Sequence, residues 1–151
     1  DSRRLMVSAW APHEMKDMVL PPCHYTFQVY INDGVMDLMW QQRSADVFLG
    51  LPYDIAMYGL LLEMLAKGAG LKAGQLIGQL GDCHLYNNHL EQAKEYRRRS
   101  KRVLPQLDLN SGIKLIEFNN SSELFIPNKD NINLKNYNPY PAIKAELSVG
   151  K

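Results

Sequence analysis

An apolar segment at residues 51–66 constrains the fold of this chain more than any other part of the sequence. Within it, Ile55, Tyr58 and Leu62 recur at the three- and four-residue spacing of an α-helix, and Gly68 follows as a stop signal. Apolar side chains also occupy the remaining faces, so the sequence predicts a helix that is buried all round. The segment is shorter than the roughly 20 apolar residues that cross a bilayer, and we expect no membrane span.

Strand-like segments lie on both sides of this helix. Residues 24–31 alternate and are rich in Tyr, Phe and Val, which predicts a strand. An Asn32-Asp33-Gly34 turn signal then leads to a second strand at residues 35–42, which completes a hairpin. The predicted fold class is therefore α+β, with a mixed twisted sheet packed on one long buried helix. Further strands are expected at residues 4–10, 73–80, 103–109 and 113–118, and a more exposed helix at residues 86–98.

The composition argues against several classes of protein. The chain has 17 Lys+Arg against 16 Asp+Glu and a formal net charge of +1, which gives no electrostatic argument for a nucleic-acid or membrane-surface protein. Its 46% of hydrophobic residues suffices for one core, so we expect residues 1–151 to form a single domain. The polar first residues do not resemble a signal peptide, and two cysteines make no disulfide framework, so the expected location is cytoplasmic.

Cys23 is the first candidate for chemistry. A lone cysteine is most often a small buried hydrophobe, but two prolines stiffen the approach to Cys23, which favours a placed thiol. The adjacent His24 cannot serve as its base, because neighbouring side chains on a strand point to opposite faces. The pairs Cys23-His24 and Cys83-His84 also suggest zinc, but adjacent ligands fit a tetrahedral site poorly, and we predict no metal site.

A polar stretch at residues 41–46 stands out in an apolar neighbourhood. Arg43 and Ser44 offer a guanidinium fork and a hydroxyl for a phosphate group. A structural salt bridge between Arg43 and Asp46 explains the same residues, and both interpretations stay open. Asp54 lies near the predicted helix start, where an acid commonly caps the helix or occupies its first turn.

Two further polar segments flank the second predicted helix. His84 and Tyr86 lie in an expected hinge before it, where they share a face and can bind a sugar hydroxyl. The alternative is a helix cap with a satisfied core histidine. The basic run at residues 97–102 fits a nucleic-acid contact or a solvated helix end, and the near-neutral charge of the chain favours the second.

Taken together and in this order, these segments resemble the thymidylate synthase family. The resemblance runs nearly end to end along the chain and covers the C-terminal half, or somewhat more, of a family member. The middle motifs are the most specific. The motifs are DSRR at residues 1–4, SAW at 8–10, PCH at 22–24, QRSADVFLGLP at 42–52, IAMY at 55–58, GDCHLYNNH at 81–89 and YNPYP at 137–141.

The resemblance implies a reaction. Family enzymes are homodimers that transfer a one-carbon unit from 5,10-methylenetetrahydrofolate to C5 of a pyrimidine deoxynucleotide monophosphate. Cys23 then corresponds to the nucleophile that adds to C6 of the base, Arg43 to an arginine that touches phosphate and thiol, and Asp54 to a residue that reads the base. The expected nucleotide contacts are Arg3, Arg4, Gln42, Ser44, Asp54, His84 and Tyr86, with Arg3 and Arg4 reaching the phosphate of the neighbouring subunit. The expected folate contacts are Asp46, Leu49, Gly50 and Tyr53.

Asp54 departs from the family pattern, since thymidylate synthases carry Asn at this position. A carboxylate accepts a hydrogen bond from the amino group of cytosine but faces the lone pairs of O4 in uracil. Such a mismatch costs roughly 1–3 kcal/mol, or about tenfold to hundredfold in rate. We therefore expect a narrow preference for dCMP, with hydroxymethylation or methylation as in phage deoxycytidylate hydroxymethylases. The alternative is a thymidylate synthase that acts on dUMP.

The resemblance also implies that the N-terminal portion of a family member is absent from this chain. That portion carries further catalytic and folate-site residues, so we expect full activity only in its presence. Two other hypotheses stay open. One is an inactive nucleotide- or RNA-binding remnant that uses residues 97–102, and the other is a structural half that complements a separate partner chain.

Overall fold

The chain folds into a four-stranded sheet with one helix packed across it, followed by a second helix and a separate two-stranded sheet. The computed structural model describes residues 2–109 and 132–148. The predicted strand at residues 113–118 lies outside the described residues. The elements are β1 (Met6–Ser8), β2 (His24–Asn32), β3 (Val35–Asp46), α1 (Leu51–Gly68), β4 (Lys72–His84), α2 (Leu90–Arg98), β5 (Gln106–Leu109) and β6 (Ile132–Lys135), with 3₁₀ turns at Met15–Asp17 and Asn87–His89.

The hairpin of β2 and β3 forms the centre of the larger sheet. Asp33 and Gly34 both have positive φ, 48° and 77°, as a tight two-residue hairpin turn requires. The predicted hairpin is thus confirmed, and β1 pairs antiparallel with the outer side of β2.

The strands β3 and β4 are parallel, and α1 supplies the crossover that a parallel pair needs. Their register pairs Asp46 with His84, so both strands end at the same edge of the sheet. Two glycines of β4 allow this close pairing. A Cβ on Gly78 would overlap the Trp40 indole, and one on Gly81 would lie 2.7 Å from the carbonyl oxygen of Arg43. The polar ends of β3 and β4 therefore lie side by side.

The core lies between α1 and the sheet. Its buried side chains come from both elements: Val29, Met36, Leu38 and Trp40 from the hairpin, and Tyr58, Leu62 and Ala66 from α1. The α+β fold class, with a mixed twisted sheet packed on a helix, is confirmed.

The prediction that α1 is buried all round was wrong. Its buried residues recur every four positions along one face, whereas Tyr53, Ile55 and Met57 are exposed. Among the described residues a single sheet covers the helix, and one layer buries one face.

Several predicted boundaries also shift. The strand expected at residues 35–42 continues to Asp46, and the expected polar hinge before Tyr86 belongs to β4 as far as His84. Both extensions follow from the long parallel pairing, which satisfies the backbone groups of these polar residues. In the part of the chain that the structure covers, no helix has the length and apolar character needed to cross a membrane.

Candidate active site

Arg43 fastens the segment that carries Cys23. Its guanidinium donates from Nε to the carbonyl oxygen of Pro22 at 3.1 Å and from Nη2 to that of Pro21 at 2.7 Å. Its backbone N–H donates to the carbonyl oxygen of Cys23 at 2.9 Å. Three bonds from one residue thus fix the approach to the thiol, which is half-buried.

The alternative salt bridge between Arg43 and Asp46 is not what the structure shows. Asp46 Oδ1 instead accepts from the backbone N–H groups of Phe48 at 3.0 Å and Leu49 at 3.2 Å. Asp46 therefore builds the turn that leads from β3 into α1, and Arg43 remains directed at the prolines.

A buried hydrogen-bond chain leads from Trp40 to Asp54. The Trp40 indole N–H donates to Gln42 Oε1 at 3.2 Å, and Gln42 Nε2 donates to Asp54 Oδ2 at 2.9 Å and to the carbonyl oxygen of Ser44 at 2.9 Å. An indole N–H can only donate, so it fixes the Gln42 amide with its NH₂ group toward Asp54. Gln42 is only 4% exposed, which makes this orientation costly to change.

Asp54 occupies the first turn of α1, as one of the two sequence-based interpretations had it, but it does not cap the helix. Its Oδ1 lies 3.2 Å from His24 Nε2, while its Oδ2 accepts from Gln42. The carboxylate thus joins β2, β3 and α1 at one point.

Tyr58 lies one turn after Asp54 and was predicted only as a core residue. Its ring stacks on Trp40, with centroids 5.1 Å apart, and on His24 at 5.6 Å. Burial, together with the nearby charge of Asp54, raises the pKa of Tyr58 above its ordinary value of 10.0. The four-residue spacing from Asp54 was the signal that placed the two on one helix face.

His84 and Tyr86 lie together, as their spacing predicts. Their rings meet edge to face with centroids 4.8 Å apart, and His84 Nδ1 lies 3.4 Å from Asp82 Oδ1. Next to them is His89, which sequence reasoning did not single out. Its ring is fully buried between Phe48 and Tyr86, with centroids at 5.5 and 5.8 Å.

The predicted folate contacts gather at the start of α1. Gly50 lies at the N-cap position, and its carbonyl oxygen accepts from the N–H groups of Tyr53 and Asp54. The Tyr53 side chain is 77% exposed. Leu49 belongs to the same turn, and Ser44 lies on β3 opposite Asp82.

Arg3 and Arg4 do not join the other predicted residues. They are exposed and precede β1, whose register with β2 places them alongside the far end of β2, near the hairpin turn. At about 3.3 Å per residue, the length of β2 puts them roughly 20 Å from His24.

The basic run at residues 97–102 is divided between two environments. Arg99 donates to Glu95 at 2.8 Å and to the carbonyl oxygen of Pro141 at 2.7 Å. Arg102 donates to Asn138 and Pro139 and lies 3.7 Å above the Tyr140 ring. These two arginines therefore hold residues 138–141, while Arg97 and Arg98 form an exposed helix end. Across residues 2–109 and 132–148, no three His, Cys, Asp or Glu side chains are grouped to hold a metal ion.

Comparison with known proteins connects this geometry to one family. The family model for thymidylate synthase matches residues 1–149. Proteins named thymidylate synthase from Listeria monocytogenes serotypes 4a and 4b and from Listeria innocua are each 46% identical over 149 residues. The alignment covers 99% of this chain but 45% of each relative, so the chain spans less than half the length of the curated relatives it matches.

Proposed function

The chain belongs to the thymidylate synthase family, and on that premise we propose that it supplies the nucleotide-binding part of an enzyme that converts dUMP to dTMP. The proposed co-substrate is 5,10-methylenetetrahydrofolate. One observation carries the proposal: Cys23 before β2, Arg43 in β3 and Asp54 in α1 converge at one edge of the sheet through direct bonds among their segments.

Cys23 performs the covalent step in this proposal. Its thiolate adds to C6 of the pyrimidine, and the resulting carbanion-like C5 forms a bond to the methylene carbon of the folate. The C5 proton then leaves and the bond from the methylene carbon to the folate nitrogen breaks. A hydride from the tetrahydrofolate so formed reduces the exocyclic methylene to methyl, and Cys23 departs from C6. The products are dTMP and dihydrofolate.

The other side chains position the nucleotide. The Arg43 guanidinium lies against the carbonyl oxygens of the two prolines that precede Cys23. We assign Arg43 and Ser44 to the phosphate, because a guanidinium and a hydroxyl both donate to phosphate oxygens. His84 and Tyr86 contact the 3′-hydroxyl of the deoxyribose. Asp54 reads the base, and Gln42, whose amide N–H groups donate to Asp54 and to the carbonyl oxygen of Ser44, holds that carboxylate in place. The folate side comprises Asp46, Leu49, Gly50 and Tyr53.

Two copies of the chain are needed to complete the phosphate site. Arg3 and Arg4 lie roughly 20 Å from His24 by the length of β2, too far to reach a nucleotide bound at Cys23 of the same chain. We therefore propose a homodimer in which these exposed arginines bind the phosphate held by the neighbouring subunit.

A second candidate function differs from the first in the base that Asp54 recognises. The presence of Asp54 in the sequence led us to expect a preference for dCMP. The relatives are named thymidylate synthases, so dUMP is the better-supported substrate. A cytosine nucleotide is favoured only by the carboxylate itself. Its Oδ2 already accepts from Gln42, and its Oδ1 offers a further acceptor to the amino group of cytosine. Methylation or hydroxymethylation of dCMP is therefore the second candidate.

The test is tritium release from [5-³H]dUMP and [5-³H]dCMP, measured side by side with the complete reading frame and methylenetetrahydrofolate. Faster release from dUMP supports the main proposal, and faster release from dCMP supports the second candidate. Asp54→Asn is expected to raise the dUMP-to-dCMP ratio about tenfold to hundredfold. Cys23→Ala is expected to abolish release from both, and turnover that survives this change would contradict the covalent mechanism.

A further inference from the structure

Among the residues that the structure describes, His89 is the most deeply buried polar residue outside the proposed reaction. It ends the 3₁₀ turn Asn87–His89, and its Nε2 lies 2.7 Å from the carbonyl oxygen of Glu146. A carbonyl oxygen can only accept, so Nε2 carries the proton. Within the described residues Nδ1 has no hydrogen-bond partner, which leaves the bond to Glu146 as the polar anchor of the ring.

This bond docks the C-terminal segment, residues 143–148. A parallel bond joins Ser148 Oγ to Asn88 Oδ1 at 2.7 Å. Glu146 and Leu147 are exposed, and the segment has no regular secondary structure. Ile143 and Ala145 are half-buried, so the two hydrogen bonds hold the segment together with a small apolar contact, and we expect it to open locally.

The His89 ring also contacts Tyr86, which lies at the proposed sugar-binding end of the site. Its ring contacts the rings of Tyr86 and Phe48, and Tyr86 in turn contacts His84. We propose that His89 is a positioning residue that couples the docking of residues 143–148 to the orientation of Tyr86. This inference rests on the proposed function, which assigns Tyr86 to the deoxyribose 3′-hydroxyl.

Two substitutions separate the two contacts of His89. His89→Phe keeps an aromatic ring against Tyr86 and Phe48 but removes the Nε2–H donor. His89→Gln keeps an amide donor near the position of Nε2 but removes the ring. Ser148→Ala removes the bond from Ser148 to Asn88 and loosens the same segment without changing the core. The docking of the segment can therefore be measured even if a His89 variant fails to fold.

The measurement is amide hydrogen exchange of residues 143–148, with and without dUMP, together with KM and kcat for dUMP. We expect His89→Phe to speed exchange of the segment about tenfold and His89→Gln to leave it near the wild-type rate. Bound dUMP should slow this exchange in the wild type, because coupling is reciprocal. His89→Gln should lose that slowing and show a KM several-fold higher with kcat changed less. Ser148→Ala should speed exchange and raise KM less than His89→Gln does, because the docked form still predominates and the ring contact with Tyr86 is kept.

Unchanged exchange in His89→Phe would overturn the docking role. Slowing by dUMP that persists in His89→Gln, or that is absent from a wild type that turns over dUMP, would overturn the coupling. A wild type that neither binds nor turns over dUMP would contradict the proposed function instead, and the exchange of His89→Phe without nucleotide would still decide the docking.

Discussion

The two ends of the proposed nucleotide site are built in different ways. The base cluster, which comprises His24, Gln42 and Asp54, is joined by short polar contacts between neighbouring elements and rests on the buried Trp40. The sugar cluster, which comprises His84, Tyr86 and His89, is joined by ring contacts and by a backbone bond from the His89 N–H to the carbonyl oxygen of Tyr86, and it is tied to Glu146, 57 residues further along the chain, by a bond from the His89 ring.

This difference matches the role that we propose for each end. A base is read by the direction of its hydrogen bonds, so the donors and acceptors around it must be fixed, and buried partners fix them. A sugar hydroxyl both donates and accepts, which tolerates some movement of its partners. The base cluster should therefore open only with the whole fold, whereas the sugar cluster should open locally.

The largest expected effect breaks the base cluster. Gln42→Leu leaves the Trp40 N–H and one oxygen of Asp54 without their partner in a buried place. We expect the free energy of unfolding to fall by about 2–3 kcal/mol, as measured by urea denaturation. Gln79→Leu, at an exposed position on β4, is the matched control and should change it by less than about 0.5 kcal/mol. Equal effects of the two substitutions would show that the buried amide does not support the fold.

A second change tests what holds the Gln42 amide in its orientation. Trp40→Phe keeps a ring against Tyr58 but removes the indole N–H that holds Gln42 Oε1. We expect a loss of about 1 kcal/mol for the missing hydrogen bond, a further loss for the space that the smaller ring leaves in the core, and a several-fold drift of the dUMP-to-dCMP rate ratio toward one. The control is Trp10→Phe, which alters a partly exposed indole near Tyr25. A rate ratio that stays at the wild-type value would mean that Trp40 does not set the polarity of the site.

Local patterns predicted the fold better than they predicted the site. The hairpin and α1 followed from alternation, turn residues and helical spacing, all of which are fixed within a few residues. The extra length of β3 and β4 and the exposed face of α1 depend on which elements pack together, which periodicity does not encode.

The same limit applies to the candidate site. The sequence pointed to Gln42 and Asp54 separately, but their bond depends on the angle at which α1 leaves β3. Arg43 donates to two proline carbonyl oxygens and forms no salt bridge with Asp46. The Asp46 carboxylate instead accepts from backbone N–H groups of the turn that follows β3. The bond from His89 to Glu146 had no signal in the sequence at all, since it joins distant segments.

A spectroscopic prediction concerns Tyr58 at the rim of the base cluster. Burial and the charge of Asp54 both raise its pKa, so Asp54→Asn should lower the pKa while leaving it above 10.0. The measurement is the ultraviolet titration of the phenolate, isolated as a difference against Tyr58→Phe. Because the pKa of Tyr58 is higher in the folded state than in the unfolded state, its contribution to the free energy of unfolding is complete below the unfolded pKa near 10. That contribution is lost as pH rises through the folded pKa. The loss at high pH should be smaller in Asp54→Asn, and an unchanged titration would exclude the influence of Asp54.

The smallest expected effect belongs to residues 138–141, which precede the docked segment along the chain. Arg102 Nη1 donates to Asn138 and to the carbonyl oxygen of Pro139, and its guanidinium lies 3.7 Å above the Tyr140 ring, at an exposed place. Arg102→Lys keeps the charge but loses the planar guanidinium that covers the Tyr140 ring and places Nη1 between Asn138 and Pro139, which we expect to cost about 0.5–1 kcal/mol of local stability. Faster amide exchange at residues 138–141 should report this change while the urea midpoint stays within error. Arg98→Lys, at an exposed position in the same run, is the control and should leave both unchanged. If Arg102→Lys instead lowered global stability as far as Gln42→Leu, residues 138–141 would open only with the whole fold, as the base cluster is expected to, and the expectation that the chain leading to the docked segment opens locally would fail.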